Sequence, residues 1–277
     1  MHRKLHNESA FTLIELLVVI AIIGLLSSIV LVNLQGTRQR GREAAGKQFS
    51  SSLQNALGSE AMGIWRLDEG SGTTVYDNAG YGNNGTLTNG PVWQTEAQCG
   101  LGLGSCLLFD GSDDYVNLDT DAMNGLNDFT VSYWMKTSDT TKAGTAIHAT
   151  NTGNNEFIPY NYRSLQVYVK DTVWSTGEAL NNGNWRFIAI TRNGTTGKVE
   201  LFVDGALEGS STLAAGSLNV GGCLVLGQEQ DAVCGGFDTT QAFLGLLDDV
   251  RIYATDLTLA KIQQLYAEGI QRHLAEQ

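Results

Sequence analysis

The sequence predicts a long hydrophobic N-terminal α-helix followed by an all-β sandwich that ends in a short C-terminal helix. Three observations carry that expectation. Phe11–Leu34 (FTLIELLVVIAIIGLLSSIVLVNL) is apolar all round from Leu16 to Leu26, and a helix without a polar stripe is a buried or membrane helix. From Gly63 onward, short strand-like runs alternate with Gly- and Asn-rich turns, as in antiparallel sheets packed face to face. Leu257–Ala275 then returns to a helical period.

The totals bound the reading. A chain of 277 residues accommodates an anchor and one domain of about 200 residues, large enough to bury a core. The net charge of −12 argues against nucleic acid, whose phosphates need a basic face. The four histidines (His2, His6, His148, His273) are scattered and no CxxC or HExxH spacing occurs, which argues against zinc.

Met1–Ala10 (MHRKLHNESA) is a short leader with Arg3 and Lys4 that stops at a small residue before the apolar run. A secretory signal carries its small-residue cleavage site after that run, so cleavage here would leave the helix on the mature chain. The helix would be roughly 36 Å long, enough to cross a hydrocarbon core of ~30 Å with some tilt. Glu15 interrupts it, and a carboxylate near the bilayer centre costs about 2.5–3.5 kcal/mol on insertion scales, so it needs a partner.

Ala10 followed by Phe11, Thr12, Leu13, Ile14 and Glu15 resembles the prepilin signal of type IV pilins and type II secretion pseudopilins. The resemblance implies cytoplasmic-side cleavage between Ala10 and Phe11 by a prepilin peptidase/N-methyltransferase, and methylation of Phe11. It also implies that Glu15 pairs with the new α-amine of a neighbouring subunit during assembly. Location follows: one pass through the inner membrane with the N-terminus in the cytoplasm, then a pilus, the cell surface or the periplasm. Two positions depart from the pattern, Ala10 where most members have glycine and the absence of proline near Val32. Arg38, Arg40 and Arg42 favour the opposite orientation by charge count; the leader motif is the stronger signal.

Beyond Leu34 the helix is expected to continue, weakened at Gly36, Gly41 and Gly46, with Phe49, Leu53 and Leu57 at spacing four. The expected organisation is leader 1–10, assembly helix 11–58, linker 59–62 and β-domain 63–277. Phe129–Lys136, Trp185–Arg192 and Lys198–Asp204 are strand-like. In the last, Val199, Leu201 and Val203 face one way and Lys198, Glu200 and Phe202 the other. Trp65, Trp134 and Trp185 are expected in the core. Thr258 is a candidate N-cap for the closing helix, whose apolar face would be Leu259, Ile262, Leu265 and Tyr266. Cys99, Cys106, Cys223 and Cys234 read as disulfides in an exported chain. Of three connectivities, local pairing (Cys99–Cys106 and Cys223–Cys234) is expected.

WRLDEGSGTTVYDNAGYGNNGTL (Trp65–Leu87), LLFDGSDDYVNL (Leu107–Leu118), FVDGALEGS (Phe202–Ser210) and the string from Leu226 to Thr258 together resemble LamG-like concanavalin A/pentraxin jelly rolls. The resemblance covers nearly all of Gly63–Tyr266. Directly from the residues, Glu229, Gln230, Asp231, Asp238 and Gln241 gather oxygen donors within one glycine-flanked loop, which suits Ca²⁺ and its 6–8 oxygen ligands. The resemblance implies that Glu229, Asp231 and Asp238 ligate through carboxylates, Gln241 through its side-chain oxygen and Gln230 through its main-chain carbonyl. Asn154 and Asn155 would stand where the family has an Asp-Asn pair. That change, and an aspartate at 238 where glutamate is often found, weaken the expected site. A disulfide that the resemblance would place between the sheets has no counterpart, the matching positions being Ser132 and Ala189.

Tyr160, Tyr162 and Trp174 are candidates for stacking on a sugar face, while Asp68, Asp77, Asp110, Asp113 and Asp114 read as turn residues. The expected function is a minor pilin or pseudopilin that displays a calcium-dependent domain for adhesion, binding a glycan or phosphate-bearing ligand. The alternatives are a structural spacer or tip without ligand and a concanavalin-fold glycoside hydrolase. Hydrolysis needs two carboxyl groups about 5–9.5 Å apart across the scissile bond. Asp248 and Asp249 are the nearest pair, and adjacent strand residues point to opposite faces, so no enzyme is expected.

Overall fold

A computed structural model describes residues 13–24, 57–99, 104–118, 122–151 and 154–273. The chain divides into two compact units, Met1–Ser51 and Ser52–Gln277. In the first, residues 13–24 form helix α1, and its apolar side chains are exposed, from Leu13 at 80% to Val19 at 43%. No described helix is long and apolar enough to cross a membrane. The cleavage junction at Ala10 and Phe11, and the expected continuation of the helix through residues 25–56, lie outside the described residues.

The second unit is a sandwich of two antiparallel sheets. One runs in the order β14 (Ala206–Thr212), β13 (Lys198–Val203), β12 (Trp185–Asn193), β7 (Phe129–Lys136), β16 (Leu244–Tyr253), β5 (Cys106–Asp110) and β4 (Val92–Gln94), with β1 (Ala61–Trp65) also paired to β16. The other runs β11 (Thr172–Ser175), β10 (Gln166–Val169), β9 (Asn154–Tyr160), β8 (Ile147–Asn151), β15 (Cys223–Leu226), β6 (Tyr115–Leu118), β3 (Gly85–Thr88) and β2 (Thr74–Val75). Helix α2 (Glu96–Cys99) is a single turn, and α3 (Leu259–His273) is the closing helix. The main core lies between the sheets. Period-two alternation sends Val199, Leu201 and Val203 into it together with Trp65, Phe109 and Phe157.

A second core covers the outer face of the first sheet. There Trp134, Phe187, Phe202 and Tyr253 meet Ile262 and Leu265 of α3, and Trp134 stacks on Tyr266 with ring centroids 5.7 Å apart. Phe202, assigned to the polar side of its strand, is therefore buried, because α3 makes that side a second interior. Leu259 is the exception on the helix: it is 45% exposed, since the buried face begins one turn later.

One boundary and one residue pairing differ from expectation. Residues 59–62 are not a linker. Leu57 and Ala61 are buried in the second core, Ala254 donates its backbone N–H to Glu60 O, and Lys261 pairs with the Glu60 carboxylate at 3.2 Å. Burying a leucine contributes roughly 1.5–3 kcal/mol, which fixes the domain entry before Leu57. Ser132 and Ala189 do not face each other between the sheets; they are cross-strand partners on β7 and β12 of one sheet.

Both disulfides form as expected, Cys99–Cys106 and Cys223–Cys234.

Candidate functional site

The loop between β15 and β16 folds back over the outer face of the second sheet. Gly227 starts it at φ +92°, and a side chain there would strike Phe109 at 2.4 Å, so only glycine permits this exit from β15. Residues Ala232 and Gly235 then exchange two backbone hydrogen bonds in a tight turn. Cys234, in the turn, is bonded back to Cys223 on β15.

Glu229 and Gln230 sit beneath this turn. On β8, Ile147 and Ala149 enter the main core, so His148 between them points to the opposite face, where it is fully buried. Its Nδ1 accepts the Gln230 backbone N–H at 2.9 Å, and its carbonyl accepts the Gln230 side-chain amide at 2.9 Å. Gln230 Oε1 accepts the Cys234 N–H at 3.0 Å. The Gln230 side chain is thus fully engaged inside the protein, leaving its main-chain carbonyl for any ligand. Burial drives the His148 pKa down to about 3 against an opposing contact with the Asn155 side chain, so the ring is neutral and Nδ1 is free to accept.

Glu229 is 6% exposed, with Oε1 4.0 Å from His148 Nδ1. Its Oε2 is buried without a hydrogen-bond partner, as is Gln241 Oε1. Burial first, then the neighbouring Asp231 and Asp238 carboxylates, push the Glu229 pKa up to about 7. Asp231 and Asp238 are exposed. Asp238 accepts the Thr240 N–H at 2.8 Å, and hydrogen bonds from Thr240 hold its carboxyl below the usual range. Burial raises the Tyr160 pKa and the neighbouring Gln241 side chain opposes it, and Tyr160 meets Tyr168 edge-on at 6.2 Å.

Glu229 thus has Asp231 and Asp238 as charged neighbours, with Gln241 beside Tyr160 and Asn155 beside His148. The Glu229, Asp231 and Asp238 carboxylates do not all come within 4.8 Å of one another, as those of Asp110, Asp113 and Asp114 do. Asn154 opens β9, but its side chain lies outside what is described. Of the stacking candidates, Tyr162 is excluded. It is 4% exposed, its hydroxyl lies 2.9 Å from that of Tyr133 and accepts the Ala146 N–H, because Asn161 at φ +61° breaks the chain away from β9 and the turn carries Tyr162 into the core. Trp174 packs beside Gly209 of β14 at the other edge of the sandwich. Neither His148 nor Lys142 stands out in the sequence as a site residue. Strand alternation could have found His148, whereas nothing local marks Lys142, which reaches the loop from another connection.

Other acidic groups have structural roles. Asp77 accepts backbone N–H groups from Ile64, Ala79, Tyr81 and Asn83. Asp110, Asp113 and Asp114 bring ligand atoms within 4.8 Å of one another. Within that turn Asp110 accepts the Ser112 N–H and Asp114 accepts the Asp110 N–H. Asp248 and Asp249 do not follow simple alternation: β16 is bulged between Asp248 and Arg251, and Asp249 adopts φ +48°. Asp249 is bound by both Arg251 Nε and Nη2.

Comparison with known proteins agrees with this architecture. The profile described as "Concanavalin A-like lectin/glucanases superfamily" matches residues 110–263, and the "Prokaryotic N-terminal methylation motif" matches residues 5–31. Human neuronal pentraxin-1 is 35% identical over 142 residues, covering 50% of this chain and 33% of that protein. The rat "Sushi, von Willebrand factor type A, EGF and pentraxin domain-containing protein 1" is 35% identical over 156 residues, covering 54% of this chain and 4% of that protein. The chain thus spans a third or less of these relatives. Among solved structures, the binding domain of Paraclostridial Mosquitocidal Protein 1 superposes with a TM-score of 0.58 at 14% identity, covering 76% of this chain and 52% of that one; at that identity the likeness concerns fold alone.

Proposed function

We propose that this chain, which belongs to the concanavalin A-like lectin/glucanases superfamily, is a type IV pilin-like filament subunit whose sandwich binds ligands through calcium. One observation carries the calcium reading. Glu229 Oε2 and Gln241 Oε1 are both buried without a partner in the same loop, and unpaired buried oxygens cost free energy unless something satisfies them. A hard divalent cation suits an all-oxygen donor set. Glu229, Asp231 and Asp238 would hold it through carboxylates, Gln241 and Asn155 through side-chain oxygens, and Gln230 through its carbonyl. Bound Ca²⁺ would supply a Lewis-acidic centre for an anionic or hydroxyl-bearing group. The protein's own part is to fix the donors: His148 orients the Gln230 peptide, the Cys223–Cys234 bond closes the loop, and Tyr160 offers a ring beside it. A glycan or a phosphate-bearing molecule is the ligand class this favours, and its capture is binding rather than catalysis.

The methylation motif over residues 5–31 supports the filament role. Processing between Ala10 and Phe11 would leave Glu15 to pair with a neighbouring subunit's α-amine, placing the sandwich outside the cytoplasmic membrane.

The test is calcium titration with thermal unfolding. A ligand of the native state alone raises stability by about 2.7 kcal/mol at a hundredfold excess over Kd. The expected result is a saturable, calcium-specific rise that disappears in Glu229→Ala/Asp231→Ala while the fold persists. No shift at millimolar calcium would overturn the calcium reading. For the filament, Glu15→Ala should impair incorporation without altering the sandwich; normal assembly would refute the amine pairing.

A further inference from the structure

Half of the site loop is held by a residue that is not among its oxygen donors. The Lys142 ammonium donates to Thr239 O at 2.7 Å and also to Gly111 O, joining the site loop to the turn between β5 and β6. The lysine is itself presented by a fixed turn: the Asp139 carboxylate accepts the N–H groups of Thr141 (2.8 Å) and Lys142 (3.0 Å) and the Thr141 hydroxyl (2.7 Å). The following residues lie flat against the same loop. Ala143 donates to Thr240 O at 3.0 Å, and a side chain at Gly144 would meet Ala242 O at 2.6 Å. Residues 239–242 are therefore pinned along one edge by the 142–144 segment, and Lys142 is the side-chain contribution to that pinning.

We propose that Lys142 is a positioning residue for the cation site, holding Asp238 and Gln241 in their ligating arrangement before any metal arrives. The proposal rests on the calcium reading above. Two opposing effects decide its sign. The ammonium lies close enough to lower the Asp238 pKa, so its charge repels an incoming cation. Asp238 is exposed, and solvent and salt screen such repulsion. Against this, a loop that must be ordered on binding loses conformational freedom at every residue, and Lys142 removes that requirement in advance. Ordering outweighs the screened charge, so loss of the lysine weakens calcium binding.

The experiment compares the full-length chain, solubilised in mild detergent, with Lys142→Met and Lys142→Arg. Hydrogen exchange of the 237–243 segment is read in chelator, and calcium affinity by calorimetry. In Lys142→Met, exchange should accelerate and the calcium Kd should rise by about tenfold, the order expected when a short loop must be ordered on binding; Lys142→Arg should recover most of both. Unchanged exchange in Lys142→Met overturns the proposal. So does faster exchange with an unchanged or tighter Kd, because the lysine would then shape the loop without serving the cation. Absence of calcium binding by the wild-type chain overturns the calcium reading and the positioning role together. The exchange arm separates the two failures, since it needs no metal.

Discussion

Two acidic clusters, each with a buried glutamate, occupy opposite outer faces of the sandwich, and they are completed in different ways. Under α3, Arg251 bonds Asp249 through two nitrogens (2.9 and 2.7 Å) and Glu268 through a third (2.8 Å). On the other sheet, Glu229 lies near the exposed Asp231 and Asp238, with a neutral histidine beside it and the Lys142 ammonium acting on Asp238. The first cluster contains its own cation: burial acts to lower the Arg251 pKa, but Asp249 and then Glu268 together outweigh it and hold the guanidinium well above its ordinary value. The second has oxygens without partners. The closed cluster is satisfied within the fold, whereas the open one leaves Glu229 Oε2 and Gln241 Oε1 without a partner.

The largest effect that could break this comparison is at the closed cluster. Arg251→Met should destabilise the protein by about 3–5 kcal/mol, because it strands buried carboxylates. Urea unfolding would check it, and a loss below about 1 kcal/mol would mean that the triad behaves as a surface pair. Next, Cys223→Ser/Cys234→Ser should cost about 2–3 kcal/mol by freeing a short loop in the unfolded chain. Denaturation in chelator should show that loss without any calcium contribution.

The pH dependence sharpens the contrast. Glu229 has a native pKa of about 7, above its usual 4.5, so its protonation favours the fold. That contribution is complete below about pH 4.5 and is lost as pH rises through 7. His148 is opposite: with a native value of about 3 against 6.5, it favours the fold above 6.5, and that contribution is lost as pH falls towards 3. Between pH 4.5 and 6.5 the two slopes oppose each other. In metal-free Glu229→Gln only the histidine slope remains, so thermal scans in chelator should fall more steeply with acid than for the wild type. Equal slopes would refute the raised carboxyl. Smallest is Tyr160→Phe, which removes the hydroxyl beside Gln241 and should lower stability by about 0.5–1.5 kcal/mol, read as a small drop in the unfolding midpoint in calcium-free buffer; an unchanged midpoint would mean that the hydroxyl does not help to hold the loop.

Much of this was legible in the chain. Alternation at Val199, Leu201 and Val203 located a core strand, close cysteine spacing located both disulfides, and the oxygen-rich run from Glu229 to Gln241 marked the loop. What escaped depended on distant segments. Phe202 looked solvent-facing until α3 covered it, and Tyr162 looked available until the Tyr133 hydroxyl met it. Leu57 read as part of a preceding helix, although it is buried with α3 residues two hundred positions later. Lys142 gave no sign, because its partners Gly111 and Thr239 lie 31 and 97 residues away. Local pattern encodes which face of an element is apolar, but not which element arrives to cover it.

The pairing of β1 with β16 has a mechanical consequence. β16 leaves the site loop at Leu244, and β1 begins just after the point where the chain enters the domain. Their antiparallel register joins Ala61 to Tyr253 and Trp65 to Val250. A tension applied between a captured ligand and the N-terminal segment would pull the two strands lengthwise from opposite ends. Ladder hydrogen bonds lie across the strands, so that tension would shear the pair as a set instead of unzipping it bond by bond. A pair loaded in this way yields only when its bonds fail together, which makes it far stronger than the same pair peeled from one end.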